Sequence, residues 1–354
     1  MKGLLVLLLA VCGLSASKAE DHAVVLVYHH VSETTPALTS VTPEVFQSHL
    51  DYLQENNFTV WPLARVLTTL RAGKPLPENT VAITFDDAYQ SIYTEAFPRL
   101  RKRNWPFTLF VSSEAVDRGY DNYLSWAQLR KMSDSGVELG NHSHSHAHLV
   151  RRLQDESEAQ WRQRVTVDIE TAAQRLQQET GSRSRLFAYP YGEYSPGLKA
   201  IVETLGYLGI AQQSGAVGAV SDFLAVPRFP MARGFADLRR FATSVKSRPL
   251  PISDVAVVPA EANSYRPIQS LQLTLDDGDY RAQQLACYRA SGTPLATRKV
   301  AEAPLTLSVA VSGEQPPGRH KINCTAPATK QAGVYYWYSY QWLVKKEDGS
   351  WYRE

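Results

Sequence analysis

Two short polar segments of this chain combine carboxylates and imidazoles, groups that can bind a metal and transfer protons. Asp86 and Asp87 follow the apolar run 81–85, which predicts a buried strand. The segment 142–148 has a histidine at every second position and follows another short stretch, 137–140. Active sites of α/β folds lie at the carboxyl ends of strands, so we expect the two segments to meet there. One carboxylate and two neutral imidazoles leave open coordination positions on a catalytic metal, while the second carboxylate stays available for proton transfer.

Each segment also has a plainer interpretation. Paired aspartates at a strand end could form a turn or cap a helix, and a histidine run could be a metal-scavenging tract. A third segment, Ala-Tyr-Pro-Tyr-Gly at 188–192, favours one shared metal site, because the combination is far more specific than any single segment. Two imidazoles suffice for such a metal, so His144 and His148 are not expected as ligands.

These segments resemble the motifs of the polysaccharide deacetylase family, also called the NodB-homology or carbohydrate esterase 4 group. Thr-Phe-Asp-Asp at 84–87 is similar to the first motif, His-Ser-His-Ser-His at 142–146 to the second, and 188–192 to the third. The approach to the second motif, 124–142, is also similar to the family. The resemblance spans residues 24–245 and leaves the C-terminal part of the chain outside it.

The resemblance implies a metal-dependent reaction. Asp86 would be the general base that takes a proton from the attacking water. A divalent metal would be held by Asp87, His142 and His146. Zinc is the expected metal, with Co2+, Ni2+ and Mn2+ as alternatives.

The resemblance also implies how the substrate is held. The backbone N–H of Tyr191 would stabilise the oxyanion, and Pro190 and Tyr191 would line the substrate site. Arg228 is placed with them as a candidate substrate-binding residue. It could instead orient the catalytic aspartate or cap a helix.

Two departures from the family pattern point to a subgroup. Many members have an arginine shortly before the proline of the third motif, where this chain has Ala-Tyr at 188–189, and no fourth or fifth motif follows residue 192. Near the N-terminus, Tyr-His-His at 28–30 is similar to the segment that opens the biofilm poly-N-acetylglucosamine deacetylases. This resemblance makes His29 the general-acid candidate and His30 a weaker one. The alternative for His29 is a structural histidine bound to a backbone carbonyl.

The N-terminal residues have the features of a secretory signal peptide, 1–19. A charged start at Lys2 precedes the apolar run 4–11 and small residues before the expected cut. That run is too short to span a bilayer, and no later stretch is long and apolar enough to do so. We expect an exported protein, periplasmic or extracellular, without a transmembrane segment after signal removal. Cys12 leaves lipidation open, although Val11 before it is larger than is usual at that position.

Cysteine use and charge restrict the function further. In an oxidising compartment Cys287 and Cys324 are expected to form a disulfide. A metal site is not expected there, because His320 is the sole imidazole near the two cysteines in the sequence. The formal net charge of +2 falls close to neutral once Lys2 and Lys18 are removed with the signal. Near-neutrality argues against binding of nucleic acid or another polyanion.

Patterning predicts an α/β fold for the first domain, 20–250. Thr42 is a helix N-cap with Pro43 at the first helical position, and a long helix over 155–180 is closed by Gly181. Such helices alternate with four predicted strands, at 24–28, 81–85, 107–111 and 186–189. This alternation predicts a distorted (β/α) barrel.

A proline-punctuated linker, 251–268, is predicted to precede a small all-β, sandwich-like domain at 269–354. Apolar residues there alternate with period two, which is typical of antiparallel strands. One run contains an aromatic row, Tyr336, Tyr338, Tyr340 and Trp342. Aromatic rows of this kind are more often core or inter-domain contacts than sugar-stacking surfaces.

The sequence therefore predicts a secreted, metal-dependent N-deacetylase. It would remove acetyl groups from N-acetylglucosamine-type residues of an envelope or matrix polysaccharide. A deacylase of peptidoglycan, chitin oligomers or a small acetamide is an alternative within the same reaction class. A non-catalytic, carbohydrate-binding envelope protein is the alternative from another class, and an intact set of Asp86, Asp87, His142 and His146 argues against it.

Overall fold

The computed structural model describes residues 19–258 and 265–353. Residues 1–18 of the predicted signal peptide, including Cys12, lie outside the described residues. Among the described helices, none is long and apolar enough to cross a membrane.

The first domain is built on a curled sheet with helices packed around it. This part of the chain also contains short strands outside the main sheet. In chain order, its strands are β1 Ala19–Glu20, β2 His22–Tyr28, β3 His30–Val31, β4 Ser40–Val41, β5 Thr59–Val60, β6 Leu76–Pro77, β7 Thr80–Phe85, β8 Thr108–Val111, β9 Glu138–Asn141, β10 Leu186–Ala188, β11 Leu208–Ile210, β12 Ala216–Gly218, β13 Phe229–Pro230 and β14 Arg248–Pro249. Within the described residues, the main sheet has the order β11-β10-β9-β8-β7-β2-β12, with β13 beside β2 and β5 beside β7.

Neighbouring strands from β2 to β11 in this sheet run parallel. β2 pairs with β7 in a register that sets Tyr28 opposite Phe85, and β8 pairs with β9 in a register that sets Val111 opposite Asn141. β10 pairs with both β9 and β11. These strands are buried along most of their length, as expected for a parallel sheet covered by helices. Their carboxyl ends therefore lie at one edge of the sheet.

Helices connect the strands and cover the sheet. They are α1 Pro43–Glu55, α2 Leu63–Arg71, α3 Phe97–Lys102, α4 Ser113–Asp117, α5 Trp126–Asp134, α6 Glu158–Thr180, α7 Pro196–Thr204 and α8 Leu238–Val245, with a short π-helix at Ile92–Ala96 and a 3-10 helix at Pro190–Gly192. Another 3-10 helix, Ala282–Gln284, lies in the C-terminal domain. Thr42 caps α1 by accepting a hydrogen bond from Val45 N, as its sequence predicts.

The longest helix, α6, begins three residues later than the sequence pattern predicts. Ser157 and Gln160 form a reciprocal capping box that fixes its start. Asp155 has a left-handed backbone with φ 60°, which is incompatible with a helix there. The predicted end is confirmed, because Gly181 terminates the helix at φ 74°.

The C-terminal domain is a sandwich of two sheets. Its strands are β15 Ile252–Val258, β16 Ser270–Leu275, β17 Ala286–Arg289, β18 Pro294–Leu295, β19 Thr297–Glu302, β20 Leu305–Ala310, β21 Gly318–Pro327 and β22 Tyr335–Val344. In the described residues one sheet has the order β14-β22-β21-β17-β18 and the other β15-β16-β20-β19. The fold expected from the sequence, a distorted α/β barrel followed by an all-β domain, is confirmed.

The disulfide and the aromatic row lie in this sandwich. Cys287 and Cys324 are bonded and face each other on the adjacent strands β17 and β21. The row Tyr336, Tyr338, Tyr340 and Trp342 packs in or against the sandwich core. Alternate residues of β22 point the other way, and Trp337 packs edge-on against Phe229 of the first domain at 5.3 Å. One face of β22 therefore builds the core and the other builds the contact between domains.

The predicted linker is corrected by the structure. Its first part contains β15, which pairs antiparallel with β16, and the preceding pair Arg248–Pro249 lies beside β22. The prolines that suggested a linker flank the strand instead of interrupting it. Sheet formation by the C-terminal domain thus begins near residue 248, inside the segment assigned to the first domain.

Candidate active site

The parallel strands of the main sheet end at one edge, where the sequence-predicted residues meet. His29 follows β2, Asp86 follows β7 and His142 follows β9, while Tyr191 and Gln212 lie just beyond β10 and β11. The carboxyl ends of parallel strands are where α/β folds place their sites. The topology therefore brings together residues that are far apart in the chain.

Asp86 is fully buried and doubly bound by Arg228. Nη1 of Arg228 donates to Oδ1 at 2.8 Å and Nη2 donates to Oδ2 at 2.8 Å. Neither side chain has exposed surface. Burial by itself raises the pKa of the Asp86 carboxyl, but the Arg228 guanidinium and the nearby His142 outweigh it and hold that pKa below its usual value. Asp86 is thus an ionised acceptor in a fixed orientation.

Asp87, His142 and His146 form a compact group with the donor set of a metal site. Nε2 of His142 lies 3.3 Å and Nε2 of His146 lies 3.0 Å from Oδ1 of Asp87. One ligand atom from each of the three lies within 4.8 Å of the others. The sequence-predicted ligands are therefore brought together.

The hydrogen bonds around this group test whether a cation fits. Nδ1 of His142 lies 2.8 Å from the carbonyl of Ala188, so Nδ1 carries the proton and Nε2 turns a lone pair toward Asp87. Oδ1 of Asp87 is buried and has no hydrogen-bond partner among the described residues. Two imidazole nitrogens that converge on one carboxylate oxygen form the donor set of a divalent cation. The residues fit a metal.

The loop that carries the histidines is held by hydrogen bonds to Asp168 of α6. Asp168 accepts hydrogen bonds from His144 N at 2.8 Å and from the Ser145 hydroxyl at 2.5 Å. Ser143 and His146 both adopt left-handed backbone, at φ 65° and 53°. Such conformations are uncommon for residues other than glycine, and they persist where the surroundings enforce them. Here the strained loop turns both ligand imidazoles inward.

The two other histidines of the run have different partners. The ring of His144 bonds the hydroxyl of Ser113 through Nδ1 at 2.8 Å. His148 bonds the buried carboxylate of Glu193 through Nδ1 at 2.8 Å. Neither belongs to the group of possible metal ligands found in the described residues, as the sequence analysis expects.

Tyr191 lies in a tight turn beside the histidines. The turn Pro190–Gly192 has a buried Pro190, and Tyr191 adopts φ 58° and ψ 5°. Its ring lies 4.7 Å from the ring of His146 and stacks on His148 at 3.8 Å. Gly192 sits so close to Gln212 that an added Cβ would lie 2.6 Å from the Gln212 Cβ. The turn is therefore packed directly on the neighbouring strand end.

The consecutive histidines near the N-terminus enter different environments. Nε2 of His29 lies 4.0 Å from Oδ2 of Asp86, and the His29 side chain is 20% exposed. His30 is buried and stacks on the ring of Tyr89 at 3.7 Å. Of the two, His29 is the one that faces Asp86.

The structure adds Gln212 to the site and gives Arg228 a different position from the one expected from the sequence. Nε2 of Gln212 donates to Oδ2 of Asp86 at 3.2 Å, and no motif pointed to it. Its position just after β11, at the edge shared by the other candidates, was the available signal. Arg228 was grouped with the substrate-binding residues, but it has no exposed surface and binds Asp86. The geometry fits the orienting role that the sequence left open.

The comparison with protein families covers the central part of this site. The family model for polysaccharide deacetylase matches residues 73–210, which include Asp86, Asp87, both ligand histidines and Tyr191. Residues 73–210 of this chain are thus similar to polysaccharide deacetylases. The match does not extend to His29, Gln212 or Arg228.

Curated relatives of this chain carry a more specific name. A poly-beta-1,6-N-acetyl-D-glucosamine N-deacetylase of Escherichia coli strain K12 is 27% identical over 260 residues, which cover 63% of this chain and 38% of that protein. A protein of the same name from Staphylococcus epidermidis is 29% identical over 197 residues, covering 53% of this chain and 67% of the relative. The chain thus spans less than half the length of the E. coli relative.

Solved structures are similar in fold to part of this chain. IcaB from Ammonifex degensii is 27% identical, with a TM-score of 0.56, and covers 64% of this chain and 97% of its own. The deacetylase domain of BpsB from Bordetella bronchiseptica is 26% identical, with a TM-score of 0.52, and covers 59% of this chain and 96% of its own. The shared part leaves over a third of this chain unmatched.

Proposed function

We propose that this protein is a secreted, metal-dependent N-deacetylase that acts on N-acetylglucosamine-type residues of an envelope or matrix polysaccharide. The group of Asp87, His142 and His146, next to the ionised Asp86, carries the proposal. It offers a cation site and a base within one buried cluster. The names of the relatives support an N-acetylated glucosamine polymer as the substrate.

The proposed chemistry is hydrolysis of an acetamide. Asp87, His142 and His146 would hold a divalent metal, which would supply Lewis acidity to polarise the carbonyl and acidify water. Asp86, fixed by Arg228 and Gln212, accepts a proton from the water as its oxygen bonds to the carbonyl carbon. The backbone N–H of Tyr191 donates to the developing oxyanion.

The second half of the reaction needs an acid. The carbon–nitrogen bond breaks to give acetate and an amine, and an amine anion is a very poor leaving group. His29, 4.0 Å from Asp86 and partly exposed, donates the proton that the nitrogen requires. The buried His30, stacked on Tyr89, has no comparable access.

Export rests on the signal-like N-terminus and on the Cys287–Cys324 disulfide. Disulfides persist in the periplasm and outside the cell and are rare in the cytosol. Zinc is the metal we expect, because the ligands are two imidazoles and one carboxylate. Co2+, Ni2+ and Mn2+ are the alternatives.

The test is mass spectrometry of defined β-1,6-linked and β-1,4-linked N-acetylglucosamine oligomers after incubation with the metal-loaded protein. The proposal expects loss of acetyl groups from the β-1,6-linked series, with or without loss from the β-1,4-linked series, and release of acetate. Asp86→Asn is the matched control, because it keeps the shape of the side chain and cannot accept the proton. General-base loss should cost about 10²–10⁴ in rate.

Other outcomes separate the alternatives. Activity confined to peptidoglycan fragments, to β-1,4-linked chitin oligomers or to a small acetamide would change the substrate and keep the reaction. Binding of oligomers without any release of acetate, equal in wild type and Asp86→Asn, would favour a carbohydrate-binding protein and overturn the proposal.

A further inference from the structure

The C-terminal domain contacts the turn that carries Tyr191. Gln341 of β22 donates from Nε2 to the carbonyl of Gly192 at 2.7 Å. Arg319 of β21 donates to the carbonyl of Tyr191 itself. Gln341 is 6% exposed, so its hydrogen bond is shielded from water, whereas Arg319 reaches the turn from the surface. Two consecutive carbonyls of the turn are therefore held by the same pair of strands.

The same pair of strands reaches the neighbouring strand end. Nζ of Lys321 lies 3.4 Å from the carbonyl of Gln212. The Gln212 side chain in turn donates to Asp86. Since Gly192 packs against the Cβ of Gln212, the turn and this strand end form one unit. Contacts from the C-terminal domain thus reach two backbone segments at the active site.

A third contact approaches the Tyr191 ring from the chain end. The hydroxyl of Tyr352 donates to Oε1 of Glu193 at 2.6 Å, and Oε2 of Glu193 bonds His148 at 2.8 Å. His148 stacks on the Tyr191 ring with an interplanar angle of 9°. Arg151 bonds the Tyr352 carbonyl at 2.9 Å and fixes this end of the chain. The ring and the backbone of Tyr191 are therefore held from different sides.

The backbone of Tyr191 is a conformation that needs such support. A φ of 58° is unfavourable for a residue other than glycine and persists only where the surrounding contacts enforce it. The two dihedrals of Tyr191 link the peptide that carries its N–H to the peptide whose carbonyl Arg319 holds. Fixing the second peptide and the ring fixes the direction of the N–H. An oxyanion donor is effective only when it is already aimed at the developing charge.

We infer that the C-terminal β-domain is part of the catalytic apparatus, with Gln341 as the main positioning residue and Arg319 and Tyr352 as supporting ones. The inference rests on the proposed deacetylase function, and it gives the β-domain a role in turnover beyond stability. It predicts that loosening these contacts lowers the rate of the chemical step while the metal and the substrate still bind.

The sharpest variant is Gln341→Leu in the full chain. Oε1 of Gln341 has no partner among the described residues, so leucine removes one unsatisfied acceptor together with the single donated bond, and the protein should fold. Gln272→Leu on β16, a half-buried glutamine in the other sheet, is the matched control. Arg319→Ala, with the exposed Arg298→Ala as its control, gives the second arm.

The expected result is a selective loss of turnover. The double variant Gln341→Leu with Arg319→Ala should lose about 10- to 100-fold in kcat, because misplacing a group by about 1 Å has that effect. The KM, the metal content and the melting temperature should stay near those of the Gln272→Leu control. Hydrogen exchange in peptides covering 188–194 should rise without a matching rise in peptides covering 80–87.

Turnover and exchange together separate this inference from the proposed function. If the wild-type protein had no deacetylase activity, the proposed function would be wrong. The hydrogen-exchange measurement alone would then show whether the β-domain holds the turn. If the double variant had the same kcat and the same hydrogen exchange as the wild type, the inference would be wrong and the proposed function would be unaffected. A loss of kcat with exchange rising throughout the chain would also overturn it, because the contacts would then only stabilise the fold.

Discussion

Arg228 holds both oxygens of Asp86 through two parallel hydrogen bonds of 2.8 Å, and the pair is completely buried. A bidentate guanidinium fixes both the charge and the plane of a carboxylate, which a lysine ammonium cannot do. In this chain the arginine comes from just before β13, 142 positions after the aspartate it holds.

Two replacements of Arg228 should therefore distinguish the effect of its positive charge from its effect on the orientation of Asp86. Arg228→Lys keeps the positive charge and loses the fork, so we expect a fall in kcat of at least about tenfold with a smaller loss of stability. Arg228→Met leaves Asp86 buried without its partner and should lower the free energy of unfolding by about 3–5 kcal/mol. Denaturant titration and steady-state kinetics measure the two effects. Arg239→Met, at an exposed site on α8, is the control and should change stability by less than about 0.5 kcal/mol. Equal kcat in wild type and Arg228→Lys would contradict the orienting role.

The metal site predicts opposite results for two neighbouring histidines. His146→Ala removes one of the three protein ligands, so the bound metal measured by elemental analysis after dialysis should fall sharply. His144→Ala removes only the bond to Ser113 and should keep its metal. Retention of metal by the first variant together with loss by the second would show that the ligands are assigned wrongly.

His29 is expected to matter more for amides than for esters. An amine must be protonated as it leaves, whereas an alkoxide, and still more an activated phenoxide, depends less on an acid. His29→Ala should therefore bind metal normally and lose much more activity on an acetamide than on an acetate ester. General-acid loss should lower the amide rate by about 10²–10⁴. His30→Ala is the matched control, because that ring is buried against Tyr89. Equal losses on both substrates, or a larger loss from the His30 variant, would move the acid role away from His29.

His49 should make the fold sensitive to acid. Its ring is fully buried, accepts a hydrogen bond from the Tyr28 hydroxyl at Nδ1 and donates from Nε2 to the carbonyl of Ala236. Burial lowers the pKa of His49 to about 4. In the unfolded chain that pKa is about 6.5, so the stability contributed by neutral His49 is complete above pH 6.5 and is lost as the pH falls toward 4.

The corresponding measurement compares wild type with His49→Gln in metal-free protein. Glutamine does not titrate, so the difference in the free energy of unfolding between the two should shrink by about 3 kcal/mol from pH 7 to pH 4. Metal-free protein is used so that release of metal at low pH does not add its own pH dependence. A difference that stays constant over this range would exclude His49 as the titrating group.

The types and approximate positions of the candidate catalytic groups could be predicted from the sequence alone. The strand Thr80–Phe85 was predicted within one residue, because a continuous apolar run before two aspartates has few other structures. The pairing of Cys287 with Cys324 followed from there being two cysteines after the signal peptide, and the structure confirms it. The alternating apolar residues of the C-terminal region predicted its all-β structure, and only the start of the first strand was missed.

The tertiary structure decided which side chain meets which. The bonds from Gln212 and Arg228 to Asp86, and from Gln341 to Gly192, join segments more than 120 positions apart, and no local periodicity encodes them. The left-handed backbones of His146 and Tyr191 were equally invisible, because sequence propensities disfavour them and only the surrounding contacts enforce them. Local patterns favour the individual elements, but the edge where the parallel strands end together exists only once the sheet has formed.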